Sequence, residues 1–178
     1  MNGRQRILAH LAGQPVDCLP AMPITMTIAA RRIGATYYDY CTQAEVHAEG
    51  QVRIAEDFDL DYVSAISDPA TEAADCGAPV VFFPDDPPAN NGQEPLLGDK
   101  AVLDTLQLPG IKPGGRMQKR LDTLALLRRR AGATKLVEGW IEGPCAEAAD
   151  LRGINTLMLD FYDDPKFVER LFEFVLAM

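Results

Sequence analysis

Eight of the chain's 13 prolines fall between Ser67 and Pro113, so regular structure has to be built on either side of that stretch. Each proline removes a backbone donor and fixes φ, which rules out helix interiors and central strands through PDDPPANNGQEP. Val80 to Phe83 is the segment there that reads as a short extra strand. The irregular loop is bounded at residues 84–113. A long loop inside a folded domain is usually a lid or a linker, and its place after a strand points to an active-site loop.

Before the loop, Gly3 to Leu11 places Ile7, Leu8 and Leu11 on one helical face, with Gly13 as C-cap and Pro15 as a stop. Leu19 to Ile28, LPAMPITMTI, is apolar and reads as a buried strand. Thr42 and Glu45 have capping-box spacing, and Ala48, Val52, Ala55 and Phe58 come after them at helical intervals, predicting a helix from Thr42 to Phe58. Asp61 to Ile66 then reads as a second strand. Strand, helix and strand in this order predict a right-handed βαβ unit.

After the loop, Met117, Leu121, Leu124 and Leu127 make a helical stripe that ends in Arg128 to Arg130, with Gly132 as the C′ residue. Lys135 to Ile141 predicts a third strand, and a helix opens at Pro144. Asp164 and Pro165 are a cap and a first-turn proline for the last helix. That helix runs apolar through FEFVLAM with no stop signal. Such an end predicts either a truncated chain or a terminus packed on the core, and as an exposed surface it invites self-association.

The formal net charge of -9 disfavours nucleic acid and anionic membranes as main partners. No run reaches the length of a membrane span, and the N-terminus lacks a secretory pattern, so a cytoplasmic protein is expected. Cys18, Cys41, Cys76 and Cys145 form no C-x-x-C pair and read as free thiols.

Ligands in parallel α/β folds meet the C-terminal ends of strands. That rule selects Ser67 and Asp68 after the second strand, and Glu142 and Gly143 after the third, as substrate-binding candidates. Each has a plainer reading: Asp68 as a helix cap, and Gly143-Pro144 as a turn into a helix. Cys76 with Asp75, and Cys145 with Glu142, invite a metal, but zinc wants three or four ligands with paired spacing. His10 and His47 read as helix-face residues, so no metal site is expected within the chain. Arg31-Arg32 reads either as a carboxylate fork or as a solvated pair. No catalytic residue is assigned.

Three stretches in order, RQRILAHLAGQPVDCLPAMP, ISDPATEAADCGAPVVFF and VEGWIEGPCAEAADLRGINTLMLDFYDDPKFVERLFEFV, resemble the uroporphyrinogen decarboxylase and corrinoid methyltransferase superfamily. The last is the most specific, matching "GP-x-x-x-A-x-x-LRG…D-x-YDDP…V-x-x-L-x-x-F". The resemblance implies an α/β fold: roughly the first half of a (β/α)8 TIM barrel, with a leading helix and a long Pro-rich loop. It makes residues 1–178 the N-terminal part of such a barrel. It implies zinc and a corrinoid partner for the full-length family. The family's His-x-Cys zinc motif does not occur here, and neither does the decarboxylase signature "R-Q-A-G-R-Y", replaced by ITMTIAARRIGATYYDY. The resemblance therefore favours the methyltransferase-like branch, with a small-molecule substrate or a corrinoid protein as partner and a chain inactive alone. Porphyrinogen decarboxylation and a non-catalytic half-barrel subunit stay open beside it.

Overall fold

A computed structural model describes residues 1–178. The chain is mixed α/β and divides into two compact units. The first holds residues 1–67, 83–87 and 119–140; the second holds 68–82, 88–118 and 141–178.

The first unit opens with α1 (Gly3–Leu11), whose N-terminus carries a full capping box between Asn2 and Gln5. Its buried side is narrower than the leucine spacing predicts. Ile7 is in the core, while Leu8 and Leu11 face outward. The unit continues through α2 (Met26–Arg32), α3 (Tyr37–Thr42), α4 (Ala44–Asp57) and β1 (Tyr62–Ser64). The predicted strand over Leu19 to Ile28 is not formed. Pro20 and Pro23 withhold two donors from any ladder. The segment is instead pinned by side chains: Asp61 accepts the Ala21 amide at 2.7 Å, and the Tyr62 hydroxyl donates to the Pro23 carbonyl at 2.5 Å. The end of the segment then enters α2.

The predicted helix from Thr42 is split. Thr42 is the last residue of α3 and donates to the Tyr38 carbonyl at 2.6 Å, so it does not cap the next helix. Gln43 is extended, and α4 starts beyond it. Ala48 and Ala55 are buried as their spacing predicts, but Phe58 is exposed beyond the C-terminus of α4. Gly50 lets α4 approach α2, because a Cβ there would stand 2.9 Å from the Ala29 carbonyl oxygen.

β1 pairs in parallel with β4 (Leu136–Glu138), with Tyr62 opposite Leu136 and Ser64 opposite Glu138. Around this pair lies a core of Ala29, Tyr37, Tyr40, Ile54, Val63 and Leu127. α6 (Arg116–Arg130) comes after the loop and buries Leu127, while Leu121 is exposed. Gly132 is not in the left-handed region; it is required because a Cβ would lie 2.6 Å from the Arg128 carbonyl oxygen.

The second unit begins with α5 (Thr71–Asp75). The predicted Val80 strand appears as β2 (Val80–Val81), paired antiparallel with β3 (Ala89–Asn90) inside the proline-rich region. A single 3₁₀ turn spans Lys100–Asp104. Three helices complete the unit: α7 (Pro144–Arg152), α8 (Ile154–Asp163) and α9 (Pro165–Ala177). As predicted, Asp164 caps α9 by accepting the Phe167 amide, with Pro165 in the first turn. Leu97, Leu151, Leu157, Phe167 and Leu171 fill this unit's core. No helix in the chain is long and apolar enough to cross a membrane.

Candidate functional site

Asp68 and Glu142 each lie four residues past the aligned strand ends Ser64 and Glu138. That is the position the strand-end rule selects, and it results from chain register alone. The surroundings of the two residues are less uniform.

Ser67 is buried in the first unit and presents its carbonyl, which accepts a hydrogen bond from the Tyr37 hydroxyl. Asp68, in the second unit, is a fully enclosed carboxylate. Arg116 grips both its oxygens, Nη1 to Oδ1 at 2.8 Å and Nη2 to Oδ2 at 2.6 Å. Oδ1 also accepts the Ala70 amide at 3.1 Å. The plainer expectation for Asp68, a helix cap, is met only in this local turn, since α5 has no side-chain cap. The guanidinium itself lies over the Phe82 ring at 5.2 Å. Arg116 starts α6, and its amide and that of Met117 are held by Asp75 at 2.9 and 2.8 Å. Asp75 thus serves as a helix cap, not as a metal ligand beside Cys76.

Glu142 lines a cleft of about 320 Å³ together with Glu72, Glu147, Met117 and Pro144. Gly143 stands exposed at the N-cap of α7 with Pro144 behind it, as the turn reading predicts. Cys145 is exposed, and the Cys76 thiol is pushed up to about 12, first by burial and then by Glu147, Asp75 and Glu72. All four cysteines are free.

The histidines divide. His10 is exposed in the last turn of α1. His47, expected on a helix face, is fully buried in the first unit. Its Nε2 donates to the Ser64 carbonyl at 3.1 Å, which leaves Nδ1 to accept from the Lys119 ammonium at 2.8 Å. Burial, and then the Lys119 charge, hold its pKa well below the ordinary value. Both ring nitrogens are therefore engaged. No three His, Cys, Asp or Glu side chains cluster closely enough to hold a metal ion. Arg32, in the last turn of α2, is held by Asp57 at 2.5 Å.

A second cleft, of about 410 Å³, lies between the β2–β3 hairpin and α7, and Asp150 is in its wall. Sequence reasoning gives Asp150 no role, because AEAAD looks like an ordinary helical turn. Arg116 escapes it for a different reason: its partner Asp68 is 48 residues away, and no local pattern links them.

The sequence matches the uroporphyrinogen decarboxylase (URO-D) family over residues 2–178. The chain belongs to this family. Among solved structures, a methyltransferase from Methanosarcina mazei matches with a TM-score of 0.78 at 22% sequence identity. The match covers 98% of this family member and 52% of that chain, so the sequence spans about half the length of its structural neighbour. At that identity the likeness is one of fold. No curated protein matches the sequence.

The structure gives the LRG…D-x-YDDP segment a physical meaning. In LRG…D-x-YDDP, Arg152 donates through Nε to Asp160 at 2.7 Å and through Nη1 to the Leu97 and Gly98 carbonyls. Gly153 has φ of 86°, which a side chain would strain. Asp164 is the final aspartate of the motif and caps α9. These residues build the second unit's scaffold.

Proposed function

We propose that this chain is the N-terminal half of a (β/α)8-barrel enzyme of the methyltransferase-like branch, which moves a methyl group with a corrinoid protein as partner. The observation that carries the reading is coverage. The family match runs through the whole chain, and 98% of the chain superposes on 52% of a methyltransferase. A parallel strand pair linked through helices is what a barrel wall requires, and a full barrel takes about 250 residues against the 178 here. In this reading Glu142 and Gly143 face the substrate. Asp68 acts through Arg116, whose position it fixes.

Zinc, implied for the branch by the resemblance, finds no fit among these residues. His47 is engaged at both nitrogens, His10 stands by itself, Asp75 caps α6, and no cluster of three candidate ligands exists. The ligands would come from the second half of the barrel. Porphyrinogen decarboxylation, the activity in the family's name, would need cations for the substrate's propionates. In the segment where the decarboxylase signature falls, Arg32 is already paired with Asp57, and Arg31 beside it is the one further cation. A non-catalytic half-barrel subunit is the remaining reading, and it calls for a stoichiometric partner.

Reading the genomic frame downstream of the Met178 codon tests the proposal. Further strand–helix units with a His-x-Cys motif are expected. A stop and then unrelated sequence would remove the methyl-transfer reading and leave the binding subunit.

A further inference from the structure

The side of α8 that turns away from the second unit's core is apolar and open to water. Leu157 and Asp160 point inward. Ile154, Met158, Leu159, Phe161 and Tyr162 form the outer arc of the helix and are exposed, Met158 at 63% and Tyr162 at 91%. Phe161 touches the Phe172 ring of α9 edge-on and is the most covered of the five. Together they leave on the order of 600 Å² of side chain in water, the upper end of what a monomer carries. A continuous patch of that size marks a contact surface. The sequence points to FEFVLAM as the self-associating surface. There, however, Val175 is buried and Phe172 and Phe174 pack against the core, which leaves Leu176 as the exposed large side chain.

Area and charge select a second copy of the chain as the occupant. Two such patches bury on the order of 1,200 Å² between them before any polar rim is added, which reaches the range of specific interfaces. The net charge of -9 makes two copies repel over most of their surface. The outer arc of α8 holds no charged side chain, so it meets its own copy without that penalty. A two-fold contact makes each patch its own partner. The helix ends then fix the direction. No side chain caps the N-terminus of α8, and no acidic residue stands in its first turn. Exposed Asp163 closes the last turn, where a carboxylate opposes the helix dipole. Antiparallel pairing moves that carboxylate to the first turn of the other copy, beside exposed Asn155. Each helix end then gains the charge it lacks.

We propose that α8 is the centre of a homodimer interface, in which two copies pack this helix antiparallel across a two-fold axis between Met158 and Leu159. Met158 and Leu159 meet their own counterparts. Ile154 meets Tyr162 of the partner subunit, and Asp163 accepts hydrogen bonds from the amide side chain and first-turn backbone at Asn155 of the partner subunit. The inference does not rest on the methyl-transfer reading.

The test is sedimentation velocity on the complete gene product that carries the chain. A dimer is expected at concentrations on the order of 50 μM. Leu159→Arg should raise its dissociation constant about tenfold or more. Asn155→Asp suits the dipole of its own helix, yet it should weaken the dimer, because two carboxylates then face each other. Adding Asp163→Lys to that variant should restore the dimer. Far-UV circular dichroism of all three should match the parent, since every changed side chain is exposed. A second measurement is disulfide cross-linking in a Cys18→Ser, Cys145→Ser background, which removes the two exposed thiols. Met158→Cys should join to its own copy on oxidation. Ile154→Cys, about 13 Å from its counterpart along an antiparallel pair, should not. A complete product that stays monomeric overturns the proposal, and hydrogen-exchange protection of α8 in that monomer would show the rest of the barrel in the place of the second copy. A dimer left unchanged by Leu159→Arg, or cross-linking at Ile154→Cys as ready as at Met158→Cys, overturns it as well.

Discussion

Arg116 and Asp68, 48 residues apart in sequence, meet as a bidentate ion pair in which the carboxylate is wholly enclosed and the guanidinium nearly so. Removing one partner of such a pair strands a buried charge, which costs about 3–5 kcal/mol. Arg116→Met should therefore lower the urea unfolding free energy by that order. The double variant Arg116→Met with Asp68→Asn should recover most of the loss. A double variant no more stable than Arg116→Met would show that the pair is not the coupled unit described.

Arg152 and Asp160 form the polar centre of the LRG…D-x-YDDP segment. Arg152 ties α7 to α8 and to the carbonyls of Leu97 and Gly98. Arg152→Gln leaves Asp160 buried with only Lys100 beside it, at 2.7 Å. A loss of about 3 kcal/mol is expected by chemical denaturation. Hydrogen exchange should report faster opening in residues 96–98 and in α8 than in α4.

His47 sets an acid limit on the first unit. Its folded pKa lies well below 6.5 because burial and the Lys119 charge oppose protonation. The unfolded chain then binds a proton that the folded chain does not. Stability attributable to this residue is complete above pH 6.5 and is lost as pH falls, by about 1.4 kcal/mol per unit at most. His47→Gln should flatten that part of the pH–stability curve below pH 6.5. An NMR titration in which the His47 ring protonates near 6.5 in the folded state would contradict this.

Gly50 is predicted to be intolerant of a side chain. A Cβ would come within 2.9 Å of the Ala29 carbonyl oxygen and 3.4 Å of the Tyr40 ring. Gly50→Ala gains helix propensity in α4 but forces α2 away, and a net loss of about 1–3 kcal/mol is expected from overpacking. A thermal melt checks it. An unchanged or raised Tm would mean that α2 moves freely at this contact.

The parts of the fold legible in sequence are those fixed by local chemistry. The Asp164-Pro165 cap is read correctly because cap and first-turn proline act within one turn. β1 and β4 lie within the segments their composition indicates. Reading fails where distant side chains decide the backbone. LPAMPITMTI has strand composition, yet Asp61 and Tyr62 anchor its start as irregular chain and its end joins α2. Thr42 and Glu45 have capping spacing, but a preceding helix already claims Thr42. The candidate site divides in the same way. Asp68 and Glu142 are picked as candidates from their offset past strand ends, which is a local count. Arg116 is visible only once the second unit is folded, because its place is set by Asp68 on a distant segment.

The central claim, that this chain is half of a methyl-transferring barrel, is tested most directly on the complete gene product that carries it. Purified with zinc and mixed with methylcobalamin and a thiol acceptor, it should demethylate the corrinoid, which a change in the visible absorption spectrum reports. It should form the methyl thioether in equal amount. Unchanged methylcobalamin, together with carbon dioxide release from uroporphyrinogen by the same preparation, would contradict the account and place the chain in the decarboxylase branch.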